Sequence, residues 1–133
     1  MSFAYRVQTH KSVDDALTAV HEALANHRFS ALWQSDMGAT LAAKGFPGYG
    51  AMHVLEVCNA ARADELLRID SDSAYFLPCR ILVQESGSGS EIGMLRPERL
   101  ISLADEGQGQ DRLKRLASEV EGEIRAIIDD AAR

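Results

Sequence analysis

The chain has 133 residues, 46% of them hydrophobic and 26% charged, and its 14 basic and 20 acidic residues give a net charge of -6. This length predicts a single domain over residues 1–133 that buries roughly two thirds of its unfolded surface, without needing a metal or disulfide to fold. The acidic balance disfavours nucleic acid and anionic membranes as partners, and no apolar run reaches membrane-spanning length.

The N-terminal part predicts a strand followed by a capped helix. Residues 3–9 alternate with the period of a half-buried strand. Ser12 is expected to cap the next helix, with Asp14 and Asp15 near the positive end of its dipole. The apolar positions of this helix repeat at helical spacing at Val13, Ala16, Leu17, Val20 and Leu24.

The middle of the chain predicts three more strands, of which the second and third contain the two cysteines. Residues 29–34 form a strand, Ser35 or Asp36 opens a short helix, and residues 46–50 form a loop. Residues 51–58 form a strand that passes into a helix capped by Asn59. Residues 75–83 are predicted to be the central strand, interrupted by a proline.

The C-terminal half predicts a hairpin and two helices. Residues 87–90 connect two antiparallel strands, and Pro97 starts a short helix that a polar loop follows. The last helix has the clearest apolar stripe, with Glu121 and Arg125 expected to pair on its outside. This order of elements predicts an α+β fold with helices covering one face of a sheet.

Cys58 and Cys79 are the candidates for thiol chemistry. Cys58 precedes a predicted helix start, where backbone amides would lower its pKa and favour the thiolate. The alternative is that both thiols are buried and inert, as free cysteines usually are. Strand alternation places them on opposite faces unless Pro78 introduces a bulge that shifts the phase, so alternation alone leaves their proximity open.

Two weaker candidates are a metal site and a carboxylate site. The pattern His53-x-x-Glu56-x-Cys58 contains three possible metal ligands. His53 would point away from the other two on a regular strand, which argues against a chelate. Asp36 is either a helix cap or a site carboxylate, and its position directly before a helix favours the cap.

Three motifs together resemble the DUF302 family of small bacterial and archaeal proteins. They are Asp36-x-x-Ala39-Thr40-Leu41, Val57-Cys58-Asn59 and Leu77-Pro78-Cys79-Arg80. Ala60 departs from the family pattern, which usually has proline after Cys-Asn. The resemblance implies a TATA-binding-protein-like fold, with a curved antiparallel sheet and helices on one face, and association as a dimer. It implies no reaction.

The first hypothesis is a binding or accessory module that uses no cofactor and forms a homodimer. Its small-molecule pocket is expected near Asp36, Cys58, Asn59 and Cys79. The N-terminal residues lack a secretory signal pattern, so a cytoplasmic location is expected. The second hypothesis is a thiol-dependent redox or sulfur-handling protein in which Cys58 attacks and Cys79 resolves. The third is a Cys/His metal-binding protein.

Overall fold

The computed structural model of the chain describes residues 2–104 and 111–133. The polar loop is expected over residues 105–111, of which 105–110 lie outside the described residues and Asp111 begins the last helix. Within them the elements follow one another as β1 (Ala4–Thr9), α1 (Val13–Asn26), β2 (Ser30–Asp36), α2 (Met37–Ala43), β3 (Met52–Cys58), α3 (Ala60–Ile69), a 3₁₀ helix (Ser71–Tyr75), β4 (Cys79–Ser86), β5 (Gly89–Leu95), α4 (Pro97–Ala104) and α5 (Asp111–Ala132).

The strands form one antiparallel sheet in the order β1-β5-β4-β3-β2, with helices on one side. Alternate residues of the inner strands face these helices, and in β4 they include Ile81 and Val83, which pair with Met94 and Ile92 of β5. The α+β prediction is therefore confirmed, as is the antiparallel hairpin of the last two strands.

The apolar stripe predicted for the last helix is buried in the core. Its members are Leu113, Leu116, Val120, Ile124, Ile127 and Ile128. They pack with apolar side chains of α1 and of the helix-facing side of the sheet. No helix in the part of the chain that the structure describes combines the length and apolarity needed to span a bilayer.

The predicted helix caps are present. The side chains of Ser12, Asp36 and Asn59 each accept a hydrogen bond from the backbone amide three residues later, at 3.1 Å for Ser12 and 3.2 Å for the other two. Each bond satisfies an amide that has no partner within its own helix. These short-range signals therefore determine where α1, α2 and α3 begin.

The prediction of a strand across residues 75–83 is wrong in its first half. The chain forms a 3₁₀ helix up to Tyr75, and strand pairing begins only at Cys79, which lies opposite Val57 of β3. Proline has no N–H to donate to a strand ladder, so pairing starts after Pro78. The segment before it is free to turn away from the sheet.

The predicted external position of Glu121 is also wrong. Its carboxylate does lie 3.8 Å from Arg125, but the Glu121 side chain is buried. The start of α4 packs over this part of α5, and Arg96 contacts the carboxylate there at 3.0 Å. A tertiary contact has thus converted a surface position of the isolated helix into an internal one.

Candidate functional site

An open groove of about 400 Å³ lies at one end of the sheet, where several strands terminate. Because neighbouring strands are antiparallel, the end of β3, the start of β4 and the end of β5 meet there. The segment 75–78 and the start of α4 form its walls, and its lining includes Glu56, Tyr75, Leu77, Arg80, Leu95 and Pro97. This volume lies within the range of about 300–1,000 Å³ typical of small-molecule sites.

An ion pair supplies the charged groups of the groove. Glu56 and Arg80 are opposite one another on β3 and β4, and Arg80 Nε and Nη2 both donate to Glu56 Oε1, at 3.2 and 2.8 Å. The Arg80 side chain is 51% exposed and that of Glu56 only 18%. A ligand at the mouth therefore meets the guanidinium first, and since the guanidinium uses two of its three nitrogens, donors remain for an anionic or acceptor group.

Apolar side chains form the rest of the lining. Tyr75 is 86% exposed, whereas Phe76 and Leu77 pack partly against the core. Leu95 and Pro97 contribute from the other wall. The groove thus combines an apolar surface with one outward-facing cation, the arrangement that suits an amphipathic molecule.

The thiols lie at and behind the floor of this groove. Cys79 is buried and contributes to the groove lining, while Cys58 and Asn59 border a separate cavity together with Cys79. That cavity has a volume of about 10 Å³. It is close to the minimum for one water molecule, so it has no room for a ligand.

Burial raises the pKa of both thiols. The pKa of Cys79 rises from 9.0 to about 12, mainly through burial, with smaller contributions from Cys58 and Glu56. Burial also raises the pKa of Cys58. The prediction that the helix start would lower the pKa of Cys58 is therefore wrong, because desolvation outweighs the α3 amides and the cap position belongs to Asn59.

We expect alkylation of Cys79 by iodoacetamide at pH 8 to be about a thousandfold slower in the native protein than in urea, because its pKa of about 12 leaves few thiolates. Cys58, which is more exposed, should react faster than Cys79. Mass spectrometry of the labelled peptides measures both rates. Rapid native labelling of Cys79, or a Cys58–Cys79 disulfide after mild oxidation, would favour the redox hypothesis instead.

Asp36 lies away from the other predicted site residues. It pairs with His53, which precedes the groove residue Glu56 by three positions and Cys58 by five on β3, so Asp36 lies about 10 Å along the strand from Glu56 and about 17 Å from Cys58. Partial burial raises the pKa of Asp36, but hydrogen bonds from the Met52 and Ala39 amides and the proximity of His53 together lower it. Asp36 therefore acts as a charged helix cap at the opposite end of the sheet.

The arrangement around His53 does not assemble three metal ligands. The β3–β4 register is regular, so His53 alternates away from Glu56 and Cys58. His53 Nε2 lies 3.7 Å from Asp36 Oδ2. Within residues 2–104 and 111–133, no three His, Cys, Asp or Glu side chains are close enough to hold a metal ion.

Most of the groove lining was absent from the sequence prediction. All four residues of the motif Leu77-Pro78-Cys79-Arg80 line the groove, and of them only Cys79 was predicted as a site residue. Glu56 was considered only as a metal ligand. Leu95 and Pro97 gave no local signal of a site, because they reach the groove only through strand pairing and the packing of α4.

Comparisons with known proteins agree with this architecture. The family model described as "Domain of unknown function DUF302" matches residues 5–131. A solved structure, described as the crystal structure of an uncharacterized conserved protein DUF302 from Bacillus stearothermophilus, superposes with a TM-score of 0.92 at 28% sequence identity, covering 100% of both chains. No curated protein matches the chain significantly.

Proposed function

The chain belongs to the DUF302 family, and we propose that it is a binding or accessory module that holds a small amphipathic ligand in the groove beside Leu77-Pro78-Cys79. The observation that carries this proposal is that an exposed aromatic residue, Tyr75, and an outward-facing cation, Arg80, line the same groove of about 400 Å³. Tyr75 and Leu77 contact the apolar part of the ligand, and Arg80 donates to its polar group.

The four residues predicted as a site have different roles in this proposal. Cys79 forms part of the groove floor, while Cys58 and Asn59 support that floor from behind. Asp36 acts at a distance, as a cap of α2. The raised pKa values of both thiols support a structural role for them rather than thiolate chemistry.

The same proposal includes a cytoplasmic location and a homodimer. Two free cysteines support a reducing compartment. The exposed Leu32 and Trp33 on the edge strand β2 support association with a second copy, because unpaired apolar edges tend to associate. Light scattering across a concentration series tests this, and a monomer mass at every concentration would reject the dimer.

Replacing Tyr75 with alanine is expected to weaken binding of hexanoate, a short amphipathic carboxylate, by about tenfold, because the ligand loses an aromatic surface. NMR titration measures the affinity. Tyr49→Ala is the matched control, since Tyr49 is also an exposed tyrosine but is not part of the groove lining. Equal effects of the two substitutions, or no hexanoate binding by the unmodified protein, would reject the groove as the site.

The polar contact has a separate test. Arg80→Gln is expected to weaken hexanoate binding by about tenfold or more, because a charge-assisted hydrogen bond is lost. Arg6→Gln provides the comparison, since Arg6 is equally exposed and pairs with Glu91 at 3.6 Å outside the groove. Glu56→Gln should strengthen binding, because it removes the carboxylate that competes for Arg80.

A further inference from the structure

Two arginine–glutamate pairs lie on the face of the sheet that the helices leave uncovered. Arg80 pairs with Glu56 between β4 and β3, and Arg6 pairs with Glu91 between β1 and β5. All four side chains alternate with core-facing residues of their strands, so they point away from the helices. The side chains of the second pair are 50% and 19% exposed, against 51% and 18% in the groove, so solvent access does not distinguish the two pairs.

The two pairs differ at the second oxygen of the carboxylate. Glu91 Oε1 lies 3.6 Å from Arg6 Nε, and Glu91 Oε2 accepts a hydrogen bond from Gln8 Nε2 at 2.8 Å. In the groove, both bonds from the arginine go to Glu56 Oε1, and no group among the described residues donates to Glu56 Oε2. Because each carboxylate oxygen can accept about two hydrogen bonds, Glu56 Oε2 is available to a donor from a ligand.

The same ion pair also offers donors. A guanidinium carries five N–H groups, and Arg80 uses one on Nε and one on Nη2 for Glu56, so the rest remain for an acceptor. Both side chains line the groove. The groove therefore presents a donor and an acceptor from one pair, and the charges of that pair cancel.

This combination favours a neutral polar group over an ion. A carboxylate gains hydrogen bonds from Arg80 but is repelled by the charge on Glu56. An ammonium group suits Glu56, but its full charge costs more to desolvate against the apolar lining than an amide does. A carboxamide has a carbonyl acceptor beside an N–H donor, so it can bond to both members of the pair without bringing a charge.

From the unused oxygen of Glu56 we infer that the polar end of the ligand is a carboxamide, whose carbonyl accepts from Arg80 and whose N–H donates to Glu56 Oε2. This inference rests on the proposed function and specifies the ligand class of the same groove. Tyr75 and Leu77 contact the apolar end of the ligand, as in the proposed function.

Three probes with the same six-carbon chain separate the polar groups. Hexanamide should bind about tenfold more tightly than hexanoate, because it gains a charge-assisted hydrogen bond to Glu56 and avoids the repulsion. The zwitterion norleucine should also bind less tightly than hexanamide. NMR titration measures the three affinities, and the indole signal of Trp33, the one tryptophan of the chain, should shift because Trp33 is directly opposite Glu56 in the sheet.

Glu56→Gln should change the two affinities in opposite directions. Hexanamide binding should weaken by about fivefold, because its N–H then meets a neutral acceptor, whereas hexanoate binding should strengthen. Glu91→Gln is the matched control, since Glu91 lies on the same face at nearly the same exposure but outside the groove lining. It should leave both affinities unchanged.

The outcomes distinguish this inference from the proposed function. If hexanoate binds with dependence on Tyr75 and Arg80 and at least as tightly as hexanamide, the carboxamide inference is overturned and the proposed function stands. Tighter binding of norleucine than of hexanamide also overturns it, in favour of a zwitterionic group. If neither hexanamide nor hexanoate binds, both are overturned. Circular dichroism and thermal unfolding of each variant verify that it has folded.

Discussion

Replacement of Glu121 with alanine is expected to lower the free energy of unfolding by about 3–5 kcal/mol, the loss typical when one partner of a buried ion pair is removed. Glu121 Oε2 accepts hydrogen bonds from Arg96 at 3.0 Å, and Oε1 accepts one from the backbone amide of Glu98 at 3.2 Å. The substitution leaves both donors without this acceptor, and urea denaturation measures the loss.

Glu119→Ala is the matched control for this prediction. Glu119 also lies on α5 and pairs with Arg62 at 2.9 Å, but its side chain is 55% exposed, against 6% for Glu121. We expect it to lower stability by less than about 1 kcal/mol, since solvent screens an exposed pair. Similar losses for the two variants would contradict the structural role of Glu121.

Glu121→Ala is also expected to affect the groove. Glu121 holds the start of α4 against α5, and α4 contributes Pro97 and Leu100 to the groove wall. A variant with this anchor removed should therefore also bind hexanoate less tightly at temperatures where it remains folded. Glu121 is a positioning residue for the groove, because it does not contribute to the lining.

Ile81→Ala is expected to have the second large effect, a loss of about 2–5 kcal/mol in the free energy of unfolding. Ile81 is fully buried on the helix-facing side of β4, opposite Leu55 and Met94 on the neighbouring strands. Its truncation removes buried apolar area and leaves a cavity that the surrounding sheet cannot close. Thermal and urea unfolding both measure the change.

The adjacent residue provides the comparison. Leu82 points to the other face of the sheet and is only partly buried, so Leu82→Ala should cost about 1 kcal/mol. The difference between the two variants tests the one-sided arrangement of the core. Equal losses at positions 81 and 82 would mean that the two faces of the sheet are similarly packed.

The elements that the sequence predicted best depend on local interactions. A cap such as Ser12 acts through an amide three residues away, and the stripe of α5 reflects the helical repeat. These signals need no information about distant parts of the chain. The predicted start of the fourth strand is wrong, because residues 75–83 are rich in β-forming residues throughout, but strand pairing begins only after Pro78.

The candidate site shows where local signals stop. The motif Leu77-Pro78-Cys79-Arg80 identified one wall, but the pairing of Arg80 with Glu56 depends on the register between β3 and β4. The direction of the Cys58 pKa shift depended on burial, which a neighbouring helix start does not reveal. Asp36 is separated from the groove along the sheet, although the sequence hypothesis placed it in one pocket with Cys58, Asn59 and Cys79.

The sequence alone determined the α+β class and the helix starts, because capping and periodicity act over a few residues. Only the tertiary structure decided which side chains share the groove and that Glu121 is internal. Strand register and the packing of α4 on α5 bring together residues far apart in the chain. Those contacts also set the burial of Cys58 and Cys79, which raises the pKa of each thiol.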